Sequence, residues 1–129
     1  MKDILEKLEV RRANARLGLL SADIARSIEA AAQAIAAGRH DGEFPIDVYQ
    51  TGSGTSTNMN LNEVIAHLAA AATGKPVHPN DHVNMCQSSN DVIPSAIHVM
   101  AVLESRRTLF PALERLRDGL LEKEREWAQ

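Results

Sequence analysis

The sequence has a single cysteine, Cys86, and aromatic residues make up only 3% of its 129 residues. One cysteine cannot form an internal disulfide, and a lone thiol is typical of a reducing compartment, so we expect a cytoplasmic protein. Because aromatic residues are so few, the core must be built from Leu, Ile, Val and Ala. That composition suits closely packed helices.

The chain also lacks a basic excess and a long apolar run. Its formal net charge is −3, so no positive field attracts nucleic acid or anionic lipid, and we expect no nucleic-acid partner. No stretch approaches the roughly 20 apolar residues of a membrane span, and the first residues are too charged for a secretion signal. We therefore expect no membrane partner, and a single domain over residues 1–129 with a modest core.

Apolar residues recur every three or four positions along most of the chain, which predicts a mainly helical fold. The spacing predicts a first helix before Ser21, and a second helix that is capped by Ser21 and ended by Gly38. A third helix is expected from about Thr57 to Gly74. Between the second and third helices, a short extended segment is predicted from the alternation of Phe44, Ile46 and Val48.

Two prolines help to locate the later helices. With Asp91 as N-cap, Pro94 would occupy the third helical position, where its missing N–H has no partner to lose, and residues 88–90 would lie just outside the helix. Near Pro111, either Thr108 caps a new helix or one long helix continues with a kink. Apolar residues then follow at the spacing of a helical-bundle seam: Leu113, Leu116, Leu120 and Trp127.

Strings of hydroxyl and amide side chains precede two of these helices. The first is Thr-Gly-Ser-Gly-Thr-Ser-Thr-Asn-Met-Asn at residues 51–60, and the second is Gln-Ser-Ser-Asn-Asp at residues 87–91. At a helix start the backbone N–H groups lack partners and the helix dipole is positive, so both strings suit an anion. The same residue types are also ordinary turn and capping residues, and on the residues alone that structural reading stays open.

Other kinds of site fit the sequence poorly. The glycine-containing string lacks the Gly-Lys-Ser/Thr ending of a phosphate loop and the spacing of a dinucleotide fingerprint. His78 and His82 have no third ligand at a characteristic spacing, so we expect no metal. Cys86 has no activating base beside it in sequence and is interpreted as a small, half-buried filler. No cofactor is expected.

The two strings, with His78-Pro79-Asn80-Asp81 between them, resemble the N-terminal part of class II fumarases and aspartate ammonia-lyases. These enzymes form one superfamily of homotetrameric, largely helical lyases, and the resemblance runs from about Leu17 to Met100. It implies a mainly α fold in which this chain is a fragment of a larger lyase. Residues 1–90 would form the N-terminal helical region with the substrate-binding loops, and residues 91–129 would begin the central helical bundle.

The resemblance also implies two sites. The residues that would bind a dicarboxylate and the group leaving from its C2 carbon are Ser53, Thr55, Ser88, Ser89 and Asn90. A second anion site near the active-site entrance would be formed by His78, Asn80 and Asp81, with Lys75 as an additional cation.

The implied reaction is a reversible trans elimination from a substituted succinate, giving fumarate. Fumarases tend to have Ser-Ser-Asn where this chain has residues 88–90, which favours fumarate hydratase. The run at residues 81–84 resembles aspartases, so aspartate ammonia-lyase is the alternative, beside a non-catalytic helical interaction module. The family's basic serine lies in a Gly-Ser-Ser-x-Met-Pro-x-Lys-x-Asn loop that does not occur in this sequence. We expect that base beyond Gln129, and we expect this chain alone to be inactive.

Overall fold

The structure is a computed structural model that describes residues 10–47, 49 and 54–128. The chain is helical over residues 10–16, and four α-helices follow: α1 (Ala22–Ala36), α2 (Thr55–Thr73), α3 (Ser89–Glu104) and α4 (Phe110–Trp127). Shorter helical segments are a 3₁₀ turn at Asp41–Glu43 and π-helical segments at Pro79–Val83 and Ser105–Leu109. The prediction of a mainly α fold is confirmed. The first residues of the predicted first helix, Ile4, Leu5 and Leu8, lie outside the described residues.

The short extended segment does not form a strand in the described part of the chain. A 3₁₀ turn at Asp41–Glu43 leads into Phe44, whose backbone has φ −115° and ψ 67°. Pro45 has no N–H to give to a β-ladder, and the described residues contain no second strand for pairing. Val48 lies outside the described residues.

The chain divides into two compact units, Met1–Ala96 and Ile97–Gln129. In the first unit, α1 packs against α2, and the π-helical turn at Pro79–Val83 packs against α2. The buried core is entirely aliphatic, as the scarcity of aromatic residues predicts. Its members are Leu20, Ala25, Ile28, Ala31, Ala32, Ile35, Leu61, Ile65, Ala66, Ala69 and Val83.

A buried arginine fixes the helical residues 10–16 to α1. Arg11 donates from Nη1 to the carbonyl of Ala25, and its Nη2 lies 3.0 Å from Oε2 of Glu29. The other oxygen of Glu29 accepts a 2.8 Å hydrogen bond from Arg12. This bond holds the pKa of the Glu29 carboxyl below its usual value, and the charge of Arg11 acts in the same direction against the effect of burial.

The helix ends follow the predictions in two cases and differ in a third. Ser21 is the N-cap of α1, and Gly74 ends α2 with φ +65°, both as predicted. The prediction that Asp91 caps the next helix is wrong, because α3 begins at Ser89. Pro94 therefore lies inside the helix rather than in its first turn. Proline at this position removes the hydrogen bond that its N–H would give to the carbonyl four residues earlier, and its ring crowds that carbonyl. Burial of Val92, Ile93 and Ala96 on the same helix offsets this cost.

The second unit continues as helix through its described residues. Between α3 and α4 the backbone stays helical across the π-helical segment, so Thr108 does not cap a new helix and the alternative of one continuing helix is correct. The bundle-seam residues are exposed, from 51% to 81%: Leu113, Leu116, Leu120 and Trp127. No helix in the described ranges is both long and apolar enough to cross a membrane.

One close contact holds the start of α2 against α3. Gly54, the N-cap of α2, has φ +61°, and a Cβ built on it would lie 2.9 Å from Cγ2 of Ile93. A side chain here would meet both a strained backbone conformation and a buried branched residue. Glycine is therefore required at this position for two separate reasons.

We predict that Gly54→Ala lowers the free energy of unfolding by about 2 kcal/mol, from backbone strain together with the clash on Ile93. The matched control is Gly74→Ala, since Gly74 has φ +65° but open space around its Cα. It should lose only the conformational part, about 1 kcal/mol. Urea unfolding of both variants measures the difference, and equal losses would show that the approach to Ile93 costs nothing.

Candidate functional site

The start of α2 presents the first polar string. Gly54 turns the chain in the left-handed conformation, and its carbonyl accepts the N–H of Asn58 at 2.9 Å, which begins the helix. Thr55 is the first helical residue and is exposed. Its hydroxyl thus stands at the positive end of the α2 dipole. Ser53, the other candidate in this string, lies outside the described residues.

The start of α3 presents the second polar string. The carbonyl of Ser88 accepts the N–H groups of Asp91 at 3.1 Å and Val92 at 2.9 Å, so Ser88 stands at the N-cap. Ser89 and Asn90 then occupy the first helical turn, where backbone N–H groups have no acceptor within the helix. Ser88 and Asn90 are exposed and Ser89 is half-buried. The prediction that residues 88–90 lie just outside the helix is therefore wrong for Ser89 and Asn90, which lie inside it, and holds only for the N-cap Ser88.

A buried amide joins the two helix starts. Asn58 lies one turn into α2 and is only 2% exposed. Its Nδ2 lies 3.4 Å from Oγ of Ser89 and 3.4 Å from Oδ1 of Asn84. Both are long hydrogen bonds, and they connect α2, the turn before α3 and α3 itself. The structure thus brings the described part of the first polar string, from Gly54 onwards, next to the second string in the first compact unit.

Further hydrogen bonds fix the turn that precedes α3. Asn84 donates from Nδ2 to the carbonyl of Gln87 at 3.3 Å, and Gln87 donates from Nε2 to the carbonyl of Val83 at 3.0 Å. Asn14, which is buried, donates from Nδ2 to the carbonyl of Met85 at 3.2 Å. The turn is therefore stabilised by hydrogen bonds between its own residues and by one from Asn14 in the helical residues 10–16.

From the sequence we assigned no role to these amides, of which Asn14 and Asn58 are buried and Asn84 is half-buried. A signal was present for Asn58, because it lies on the same helical stripe as Leu61 and Ile65, which are core residues. A polar residue at a core position must find a hydrogen-bond partner or destabilise the fold. No comparable pattern marks Asn14 or Asn84, whose partners lie on other segments of the chain.

The second group of candidates forms a capped turn. The ring Nδ1 of His78 lies 3.2 Å from the backbone N–H groups of both Asn80 and Asp81, and 3.3 Å from Oδ2 of Asp81. The N–H of His78 in turn donates to Nδ1 of His82 at 2.8 Å. His78 is thus the N-cap of the π-helical turn Pro79–Val83. Accepting these N–H groups at Nδ1 leaves the outer ring nitrogen, Nε2, as the donor.

Two other residues differ from their expected roles. Lys75 lies 3.1 Å from Oδ2 of Asp23, and this hydrogen bond lowers the pKa of the Asp23 carboxyl. The expected cation of the second anion site is therefore already paired with an acid. The interpretation of Cys86 as a half-buried filler is wrong, because Cys86 is exposed in a turn with φ +59°. Within residues 10–47, 49 and 54–128, no three His, Cys, Asp or Glu side chains are grouped to hold a metal ion.

Comparison with known proteins identifies the family. A family model described as lyase matches residues 3–129. The chain belongs to this lyase family. It is 60% identical over 111 residues to the class II fumarate hydratase of Xylella fastidiosa, and 53% identical over 125 residues to that of Corynebacterium glutamicum. The alignments cover 86% and 97% of this chain but only 24% and 26% of those proteins. The chain therefore spans about a quarter of the length of these relatives.

Solved structures give the same result. A class II fumarase from Schistosoma mansoni superposes with a TM-score of 0.84 at 38% identity, covering 96% of this chain and 27% of that one. A fumarate lyase:delta crystallin from Brucella melitensis gives a TM-score of 0.85 at 41% identity, covering 98% and 31%. The resemblance to class II fumarases that the sequence indicates is confirmed, and so is the helical lyase fold.

The cap formed by His78 leads to a stability prediction. We expect His78→Ala to lower the free energy of unfolding by about 1 kcal/mol, because two backbone N–H groups lose their acceptor. Asn also caps helices well, so His78→Asn should retain most of that stability. Thermal unfolding of the two variants measures this. Equal losses in both would show that the ring does not act as a cap.

Proposed function

We propose that this chain contributes the dicarboxylate-binding wall of a fumarate hydratase, which adds water to fumarate reversibly to give malate. The observation that carries the proposal is the joining of two hydroxyl-bearing helix starts by the buried amide of Asn58. The likeness to class II fumarate hydratases supports it further. The residues assigned to the dicarboxylate are Ser53, Thr55, Ser88, Ser89 and Asn90.

The chemistry of the reaction explains why such a wall is needed. Removing a proton from the carbon next to a carboxylate is difficult, because negative charge spreads onto that carboxylate as the proton leaves. Fixed donors at the carboxylate stabilise this charge without having to reorganise. Thr55 and Asn90 supply side-chain donors, and the first turns of α2 and α3 supply backbone N–H groups with a positive dipole.

The leaving group is assigned to the residues at the start of α3. Within the proposal, Ser89 lies beside the oxygen that leaves C2 of malate as water. The proton-abstracting base belongs to a part of the lyase that this chain does not contain, since the serine-loop pattern is absent from its sequence. Residues 1–129 thus hold and polarise the substrate, and another part of the enzyme moves the proton.

The second anion site is proposed at the turn formed by Pro79–Val83. His78 offers the N–H of Nε2, and Asn80 offers its side-chain amide, and both residues are exposed. Asp81, the third residue assigned to this site, has Oδ2 3.3 Å from Nδ1 of His78. Lys75 contributes less than expected because Asp23 already neutralises it.

The wider context of the enzyme is part of the same proposal. Within the proposal the intact enzyme is a homotetramer in the cytoplasm. The apolar side chains exposed along α4 support burial of this helix against other helices in a bundle. Residues 91–129 would then begin the central bundle, and residues 1–90 would form the N-terminal region with the binding loops.

The proposal predicts the behaviour of two variants of the intact enzyme. Thr55→Ala and Asn90→Ala should each lower kcat for fumarate hydration by roughly 100-fold, because each removes a donor to developing charge. The melting temperature should change little, since both side chains are exposed. Steady-state kinetics in both directions, paired with thermal unfolding, provide the measurement.

Thr57→Ala is the matched control for Thr55→Ala. Thr57 is also an exposed threonine in the first turn of α2, but it belongs to no assigned site. Its replacement should leave kcat unchanged. If Thr55→Ala and Asn90→Ala retain full activity and only lower the melting temperature, these residues are turn and capping residues and the proposal is wrong.

A further inference from the structure

We propose that Asn14 is a positioning residue of the dicarboxylate site. Its hydrogen bond to the carbonyl of Met85 selects the form of the turn that leads into Ser88, and this form holds Ser88 where it binds the dicarboxylate. Asn14 is 71 residues away from Met85 in the sequence and belongs to neither polar string. The inference rests on the proposed function and deepens it.

The turn before α3 is a four-residue β-turn with an unusual third residue. The N–H of Gln87 donates to the carbonyl of Asn84 at 3.0 Å, which closes the turn with Met85 and Cys86 at its centre. Cys86 has φ +59°, and it is the one non-glycine residue with positive φ in the described part of the chain. Met85 therefore has negative φ. A negative φ followed by a positive φ is the pattern of a type II turn.

This form of the turn is strained. Type II turns normally have glycine at the third position, because a β-carbon crowds the backbone there. For an ordinary side chain the left-handed conformation is disfavoured by roughly 10-fold in population. A type I turn needs no positive φ, and it differs from type II by a rotation of the central peptide unit. That rotation would reverse the direction of the Met85 carbonyl. The local preference of the turn is therefore type I.

Asn14 makes an interaction that only the type II form allows. Its side chain is 4% exposed, and its Nδ2 donates to the carbonyl of Met85 at 3.2 Å. A carbonyl can only accept a hydrogen bond, so Asn14 must present its NH₂ group there. In the type I form this carbonyl would point away, and the buried NH₂ group would lose its acceptor, which is costly. The hydrogen bond therefore favours the strained form.

Asn14 can select the form of the turn because both partners are held in place. One turn earlier in the helical residues 10–16, buried Arg11 donates to a backbone carbonyl of α1 and lies 3.0 Å from Oε2 of Glu29. These contacts tie the segment that carries Asn14 to α1. The side chain of Met85 packs against the aliphatic core. The donor and the acceptor are thus fixed from opposite sides of their contact.

The turn contacts both helix starts of the candidate site. Ser88 follows Gln87 directly, and its carbonyl accepts the first N–H groups of α3. Oδ1 of Asn84 lies 3.4 Å from Nδ2 of Asn58 on α2. A turn that exchanged between the two forms would hold Ser88 in its binding position only part of the time. The dicarboxylate would then have to select the type II fraction, which weakens its apparent affinity.

The test uses the intact enzyme. Asn14→Leu replaces the amide by an apolar side chain of similar shape and removes the donor. We expect KM for fumarate to rise by roughly 10-fold with kcat nearly unchanged, because type II becomes the minor form before binding but is restored on binding. A crystal structure of the unliganded variant should show the Met85 carbonyl reversed and a negative φ at Cys86.

Replacements of Cys86 provide a matched pair of controls. Cys86→Gly removes the β-carbon, so the type II form no longer needs support from Asn14. Added to Asn14→Leu, it should return KM to about the parent value. Cys86→Ala also removes the thiol but keeps the β-carbon, so it should restore nothing. General damage to the fold by Asn14→Leu would not distinguish between these two replacements.

Each outcome supports or overturns the inference. An unchanged KM in Asn14→Leu, or equal effects of glycine and alanine at position 86, would overturn it while fumarate hydration by the parent enzyme still stood. If Asn14→Leu does not fold, Cys86→Val decides, because residue 86 is exposed and a branched side chain is disfavoured more strongly at positive φ. KM should rise in Cys86→Val, and an unchanged KM overturns the inference. A parent enzyme that does not interconvert fumarate and malate would instead overturn the proposed function, and the inference would fall with it.

Discussion

The contact of the Asn58 amide with Ser89 and Asn84 is the constraint on which the candidate site depends. Asn58 is buried, and a buried amide without partners costs about 1–3 kcal/mol. Its Nδ2 finds acceptors only if α2, the turn before α3 and the first turn of α3 lie together, whereas its Oδ1 has no hydrogen-bond partner among the described residues. Pairing the buried NH₂ group thus connects three segments that are distant in the sequence, and it places the starts of α2 and α3 side by side.

The packing of aliphatic residues makes this arrangement possible. The core between α1 and α2 sets the position of α2, and Val83 anchors the turn that leads to α3. Gly54 then lets the start of α2 approach Ile93 more closely than any side chain would allow. Asn14 holds the carbonyl of Met85 from the helical residues 10–16. Gly54 therefore permits the close approach of α2 to α3, and the buried amides of Asn14 and Asn58 hold the neighbouring segments in place by hydrogen bonds.

The sequence predicted the features that depend on local pattern and missed those that depend on contacts. Helical spacing and a terminal glycine were sufficient for α1 and α2. The position of Pro94 led us to predict the start of α3 too late in the sequence. Local rules assign a proline to the first turn of a helix, but tertiary packing tolerates this one further inside. The capping role of His78 was missed because it depends on the turn at Pro79–Val83, which has no helical spacing. The role of Asn58 depends on its contacts with Asn84 and Ser89, which the sequence does not reveal. Its helical spacing from the core residues Leu61 and Ile65 indicated only that it is buried.

The most direct test of the account is the position of the hydrogens at Asn58 and Ser89. Neutron diffraction from crystals of the intact enzyme, after exchange into deuterium oxide, locates deuterium on amide and hydroxyl groups. We expect two deuterons on the Asn58 atom that faces Asn84 and Ser89, and a Ser89 deuteron that points away from Asn58. A Ser89 deuteron directed at Asn58, with the amide oxygen turned towards it, would contradict the account.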